Sequence, residues 1–230
     1  MAWSAKLTGG YGYTSAECQG NWTEINNVLS GSWSLQAVCG AIGNMSGESG
    51  WNPWRWQGDR VNYNLGYGLV QFTPASGYIN NYGPGLSGYS PNLNVTTQTP
   101  SATPEDGKAQ CLVLKDDLAH KWINRQRYCS WYDISSCATL AGYKACADLY
   151  TATVAFLFNY EGNDTVLHGS ASAQKTMAQN RYFYAQKAYD YLSGVTPPTP
   201  PTPPTPPPGP PTPHNKMPLA LMLRNTNLLR

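Results

Sequence analysis

The segment AIGNMSGESGWNPWRWQGDRVNYNLGYGLVQFTP, residues 41–74, holds the strongest indication of a functional site. Glu48 comes where an apolar helix pattern ends, and Ser49 and a turn follow it. The negative end of the helix dipole and the neighbouring Trp51 and Trp54 both disfavour a charged carboxylate there. Both effects raise a glutamate pKa, as a general acid near neutral pH requires. Taken by itself, a single glutamate is more often an ordinary surface residue.

The periodicity around this segment predicts a mainly α-helical fold. An apolar stripe over 35–45, preceded by Ser34 as N-cap, predicts a helix that leads to Glu48. A similar stripe over 177–192 ends at Gly194, a typical C-cap. Residues 145–158 are apolar on nearly every side and predict a central buried helix, whereas 108–128 predict an amphipathic surface helix. We expect a small β-hairpin or an irregular turn over 58–72 and a long ordered loop over 74–104.

Proline placement predicts the domain organisation. Of the 19 prolines, 12 lie in residues 197–213, which favours a stiff polyproline spacer. We therefore expect a catalytic domain over 1–195, a Pro/Thr-rich linker over 196–213 and a short docking tail over 214–230. The tail is basic and partly apolar, with Lys216, Arg224 and Arg230 and no acidic residue.

Composition and charge exclude several classes of protein. Charged residues make up 12% of the 230 residues, against about 25% in typical soluble domains, and the net charge is only +2. This balance gives no signature of a nucleic-acid partner. No apolar run reaches the roughly 18 residues that a transmembrane segment needs. Residues 1–13 also lack the apolar core of a secretory signal, so we expect none.

The cysteines leave their oxidation state open. The six cysteines at positions 18, 39, 111, 129, 137 and 146 contain no C-x-x-C, and the chain has only three histidines. We therefore expect no zinc site, no other metal and no cofactor. An even count in a loop-rich chain is compatible with disulfides, and Cys129, Cys137 and Cys146 are close enough in sequence for a local bridge. Isolated buried thiols remain the alternative.

Two motifs resemble the phage tail lysozyme family, which is related to goose-type lysozymes and soluble lytic transglycosylases. The motifs are GNMSGESGWNP at 43–53 and YGLVQFTP at 67–74. In that family a helix ends in the catalytic Glu-Ser, an Asn-Pro turn follows, and a G-L-x-Q segment lines the sugar cleft. Residues 27–39, 156–162 and 179–192 are also similar to family elements, although Gly162-Asn163 replaces the frequent Arg-Pro. Residues 81–149 match no element of this pattern, and we interpret them as an insertion.

The resemblance implies cleavage of the β-1,4 bond between N-acetylmuramic acid and N-acetylglucosamine in bacterial peptidoglycan. Glu48 would protonate the leaving oxygen. An inverting hydrolase needs a second carboxylate, for which Asp59 and Glu161 are the candidates. Glu161 has an equally good alternative role as a buried brace of the Glu48 helix. A lytic transglycosylase needs no such base, and a third interpretation is a non-enzymatic structural or glycan-binding tail protein with a degenerate lysozyme fold.

Glycan binding requires aromatic faces and amides more than charges. The motif places Gln71 in the cleft, and Ser49 follows the catalytic position. Further candidates are the aromatic residues Trp51, Trp54, Tyr67, Phe72 and Tyr160. Core packing is the alternative for each, and it is favoured more for Phe72 and Tyr160 than for the two tryptophans. The expected partners are peptidoglycan and, through the 214–230 tail, other phage tail proteins. A wall-targeting or membrane-surface role of the linker and tail is an equal alternative. The expected location is the virion tail, or the host cell during lysis.

Overall fold

The computed structural model describes residues 2–7 and 12–194. Within these ranges the chain is mainly helical, as the periodicity predicts. The α-helices are α1 (Ser15–Leu29), α2 (Leu35–Glu48), α3 (Asp106–Lys121), α4 (Leu140–Lys144), α5 (Leu149–Phe156), α6 (Asp164–His168) and α7 (Ala171–Leu192). Short 3-10 turns lie at Ser30–Ser32, Gln57–Asp59, Gln126–Tyr128 and Ser135–Cys137, and π-helical turns at Gly77–Tyr82 and Leu157–Glu161.

Helix α2 is the centre of the fold and packs against α5 and α7. Its first turn is capped by Ser34, whose hydroxyl accepts the N–H of Ala37 at 3.1 Å, as predicted. Glycines let the neighbouring backbones approach closely. A Cβ at Gly40 would lie 2.9 Å from a backbone atom of Ala152 in α5, and one at Gly43 would lie 2.5 Å from the Arg181 carbonyl in α7. Both positions therefore require glycine for this packing.

The predicted central helix is confirmed but begins later than the apolar pattern suggests. Asp148 caps α5 by accepting the N–H of Thr151 at 2.7 Å, so the helix starts at Leu149. Seven of its eight residues are buried. The π-helical turn Leu157–Glu161 continues it directly and ends at Gly162, which has φ 52°. That turn points the end of the segment toward Glu48.

The prediction for 108–128 was wrong in extent and in exposure. Helix α3 begins at Asp106 and ends at Lys121, and half of its residues are buried. It is not a surface helix, because Leu114 and Leu118 belong to the core and the helix packs against α1. Residues 122–128 leave the helix, since the Trp122 backbone is extended.

The predicted hairpin over 58–72 is not formed. Two isolated antiparallel bridges, Trp56 with Tyr67 and Tyr67 with Phe72, replace a strand ladder in this stretch. The reason is local, because Gly68 and Gln71 both adopt positive φ (81° and 51°) and turn the chain back before a strand can extend.

The long loop is found as predicted, whereas the linker and the tail are not described. Residues 74–104 form an ordered loop apart from the π-helical turn. The linker 196–213 and the tail 214–230 lie outside the described residues, so the three-part domain division and the insertion over 81–149 stay predictions. No helix in the described ranges is both long and apolar enough to cross a bilayer. All six cysteines are free thiols.

Candidate active site

Glu48 lies on a cleft of about 470 Å³ that several separate segments build. It is the last residue of α2, and the cap residue Ser49 has left the helical conformation. Residues of the 55–58 and 70–73 segments form one wall, and Tyr160, Glu161 and Asn163 form the other. Glu48 and Glu161, which are 113 positions apart in the sequence, are thereby brought to one site. This agrees with the expected placement of both carboxyl groups.

Arg181 of α7 forms an ion pair with Glu48, a partner that the sequence reasoning missed. Its Nη2 donates to Glu48 Oε1 at 2.8 Å, and both side chains are largely buried. The guanidinium lies against Gly47, where a Cβ would come within 0.7 Å of Nη1. Gly47 is therefore required for the ion pair. The partners are 133 residues apart, and the glycine directly before Glu48 is the only local hint.

Burial raises the pKa of Glu48 above its ordinary value, while the charge and hydrogen bond of Arg181 oppose this shift. Burial also raises the pKa of Glu161 well above its ordinary value, and the charge of Glu48 raises it further. The Oε1 atom of Glu161 is buried and has no hydrogen-bond partner in the described part of the chain. Burial thus favours the neutral form of both carboxyl groups, more strongly at Glu161, while Arg181 favours the ionised form of Glu48.

Asp59 lies beside the cleft rather than in it. It ends the 3-10 turn Gln57–Asp59, is exposed, and forms an ion pair with Arg55. Arg55 itself lines the cleft. The structure thus does not place the Asp59 carboxylate on the cleft wall that the described residues form.

The two polar residues proposed to bind substrate differ in placement. Gln71 lines the cleft as predicted, and its Nε2 donates to the carbonyls of Gly68 and Arg55 at 3.0 and 3.3 Å. Ser49 is buried, and its hydroxyl donates to the Leu69 carbonyl at 2.9 Å. The predicted sugar contact of Ser49 is corrected to a structural one, in which it ties the end of α2 to the 67–74 motif.

Most of the aromatic candidates pack inside the protein. Trp51 donates to the Ile42 carbonyl, Trp54 donates to the Thr103 carbonyl, and Tyr67 is fully buried. These three rings are therefore buried and do not line the Glu48 cleft, which favours core packing, the alternative to a role as sugar platforms. Tyr160 and Phe72 line the cleft, where the Tyr160 hydroxyl donates to Asp117 at 2.8 Å.

The cleft also contains residues that the sequence reasoning did not select. Arg55 and Lys121 add positive charge, and Gln57 and Asn163 add amides. Their surroundings in the sequence carry no periodicity that marks them. Across the described ranges, no three His, Cys, Asp or Glu side chains come together as a metal site would need.

Comparison with known proteins gives two findings. A family model described as phage tail lysozyme matches residues 21–192, most of the chain. A segment of 57 residues is 49% identical to morphogenesis protein 1 of Bacillus phage B103. That segment makes up 24% of this chain and only 16% of the phage protein, so the similarity covers a small part of that relative.

Proposed function

The chain belongs to the phage tail lysozyme family, which confirms the resemblance carried by residues 43–74, and on this premise we propose that it is a peptidoglycan muramidase. It cleaves the β-1,4 bond between N-acetylmuramic acid and N-acetylglucosamine, with Glu48 as general acid. One observation carries the proposal: a buried glutamate at the end of α2 opens onto a cleft and faces a second carboxyl group.

The chemistry follows from the surroundings of Glu48. Burial raises its pKa toward the range that a proton donor needs near neutral pH. A glycan chain in the cleft displaces water and strengthens that shift. Glu48 then gives its proton to the glycosidic oxygen as the bond to the anomeric carbon breaks. Arg181 holds the carboxyl group in place and stabilises the carboxylate that remains.

Binding of the glycan is assigned to the side chains that line the cleft. Tyr160 and Phe72 offer aromatic surface, and Gln71, Gln57 and Asn163 offer amides to hydroxyl and N-acetyl groups. Arg55 and Lys121 are suited to the carboxylates of the wall's peptide stems, because both are cationic and line the same cleft.

A lytic transglycosylase is the second candidate, and a specific observation favours it. A hydrolase needs an ionised carboxylate in the cleft to activate water, yet burial favours the neutral form of Glu161, and Asp59 lies beside the cleft in an ion pair with Arg55. In transglycosylation the C6 hydroxyl of the muramic acid attacks instead. The product carries a 1,6-anhydro end, and no water is consumed.

The setting of the activity is proposed from the relatives. The matching family is that of phage tail lysozymes, and the similar Bacillus phage protein is named for morphogenesis. We therefore place this chain in the virion, where it opens the wall during infection, with release of progeny by lysis as the alternative setting.

Mass spectrometry of fragments released from purified peptidoglycan tests the proposal. Reducing ends on muramic acid establish hydrolysis, and anhydro ends establish transglycosylation. If neither product forms, or if Glu48→Gln releases fragments as fast as the wild type, the enzymatic proposal fails. A protein that binds the wall without cleaving it is then a glycan-binding tail component.

Asp59→Asn separates the two enzymatic candidates. For a hydrolase that uses Asp59 to position water, we expect turnover to fall at least about tenfold, since general acid–base catalysis typically contributes about 100-fold or more. Transglycosylation leaves the rate unchanged. Arg55→Gln separates loss of the ion pair from loss of the carboxylate, and because Arg55 also lines the cleft, its effect on KM is measured alongside its effect on kcat.

A further inference from the structure

Cys137 and Cys146 form a thiol pair behind the two segments that carry the cleft carboxyl groups. Cys137 ends the 3-10 turn Ser135–Cys137, and Cys146 follows α4. Both side chains are buried, α4 packs against the Ser135–Cys137 turn, and each of the two thiols is the largest influence on the pKa of the other. The Cys146 backbone N–H also donates to the Tyr143 carbonyl at 3.0 Å, which fixes one side of the pair.

The backbone of each cysteine holds one of the site-bearing elements. The carbonyl of Cys146 accepts the hydroxyl of Ser34, the N-cap of the helix that ends at Glu48. The carbonyl of Cys137 accepts the side-chain amide of Asn159 at 3.0 Å, and Asn159 lies in the π-helical turn that ends at Glu161. The start of the Glu48 helix and the Glu161 turn are therefore both hydrogen-bonded to the backbone of this pair.

We propose that Cys137 and Cys146 form a disulfide when the protein meets an oxidising environment. This bond stabilises the contacts that hold the start of the Glu48 helix and the turn that ends at Glu161. The bond closes a short loop that contains α4. A cross-link there limits the separation of Cys137 and Cys146 in the unfolded chain, and it therefore stabilises the folded state. The proposal does not depend on the reaction that the cleft carries out.

The chemistry of the pair suits thiol–disulfide exchange. The neighbouring Cys137 thiol lowers the pKa of Cys146 to about 7, while the same contact raises the pKa of Cys137, so Cys146 is the thiol that attacks first. With glutathione disulfide as oxidant, the Cys146 thiolate forms a bond to one glutathione sulfur and expels the other glutathione. Cys137 then loses its proton, attacks the Cys146 sulfur and expels the second glutathione. Two protein thiols are oxidised, and one glutathione disulfide is reduced to two thiols.

The other buried cysteines lack this environment. Burial is the main cause that raises the pKa of Cys39, Cys111 and Cys129 above the ordinary value, which keeps them as unreactive thiols. Cys129 is the useful comparison, because it is buried and lies only eight positions before Cys137.

Peptide mapping of the intact chain provides the test. The native protein is incubated with glutathione disulfide or with dithiothreitol, its free thiols are blocked, and it is digested with trypsin. Because Lys144 lies between the two cysteines, cleavage yields peptides 128–144 and 145–175. We expect these peptides to remain joined after oxidation and to separate on reduction. Cys129→Ser should preserve the joined pair, and Cys146→Ser should abolish it.

Thermal unfolding provides the second readout. The oxidised wild type should melt roughly 5 °C above the reduced form, as expected for a bridge that closes a short loop in a domain of this size. Cys146→Ser should melt at one temperature under both conditions, whereas Cys129→Ser should keep the difference. The proposal is overturned if no joined pair forms, if Cys129 is the linked residue, or if oxidation leaves the wild-type Tm unchanged.

Discussion

Two regions of this protein bury carboxyl groups, and they do so in opposite ways. Asp106, at the start of α3, accepts four hydrogen bonds, from the hydroxyls of Tyr67 and Tyr78, the N–H of Ser90 and the amide of Gln110. At the cleft, Glu48 is held by Arg181, and Glu161 has a buried oxygen without a partner in the described chain. Burial raises the pKa of all three carboxyl groups.

The difference lies in how the buried group is compensated. The four donors around Asp106 all hydrogen-bond to its carboxyl group, and this network joins α3 to the loop after residue 74. Such a fully satisfied group specifies structure. The cleft pair keeps an unmet hydrogen-bonding capacity beside an open space, which is the arrangement of a site that awaits a substrate. Four substitutions test this contrast.

Glu48→Gln should have the largest effect. The amide keeps the shape of the side chain but has no proton to give, so we expect the rate of peptidoglycan cleavage to fall by about 100- to 10,000-fold. Turbidity of purified cell walls measures the rate, and thermal unfolding should show a Tm close to that of the wild type. Substantial residual activity in a folded variant would assign the acid role to another group.

Asp106→Asn should have the largest effect on stability. It places an amide N–H₂ against donors and leaves hydrogen bonds unmade, so the free energy of unfolding should fall by about 3 kcal/mol. Urea unfolding measures this loss. Activity per folded molecule should stay near the wild-type value, because Asp106 is not part of the cleft. A selective loss of activity would erase the contrast between the two regions.

Arg181→Met should act mainly on the pH profile. The charge of Arg181 lowers the pKa of Glu48, so its removal should shift the pH at which Glu48 loses its proton upward. The alkaline limb of the activity profile should move to higher pH. Lys187→Met, on the same helix but outside the cleft, serves as the control. An unmoved limb would mean that the profile reports another group.

Glu161→Gln should have the smallest effect, and it should be stabilising. The folded protein keeps a proton on Glu161 above the ordinary glutamate pKa, where the unfolded chain has released it, so wild-type stability falls as pH rises through that window. Glutamine removes the dependence, and we expect a gain of roughly 1 kcal/mol near pH 7. Urea unfolding at pH 4 and pH 7 measures it. An unchanged slope would show that Glu161 is ionised.

The sequence predicted the features that are determined by residues within one helix. Ser34, the apolar stripe and Glu48 lie within one helix, so a single periodic pattern shows its start and its end. It failed where distant segments meet. Trp51 looks like an exposed turn residue, but its ring packs against Trp22 and Tyr184, which come from α1 and α7. Arg181 was missed for the same reason, because spacing within one segment says nothing about the helix that crosses it.

The ion pair between Glu48 and Arg181 makes position 47, a glycine, sensitive to substitution. Its missing side chain is the space that the Arg181 guanidinium occupies, so any larger residue there displaces the partner of Glu48. In a saturation mutagenesis screen, substitutions at position 47 would act like those at Arg181, although this glycine has no chemistry of its own. The tolerance map of this protein would therefore show a sensitive position that is defined by the volume of a neighbouring side chain.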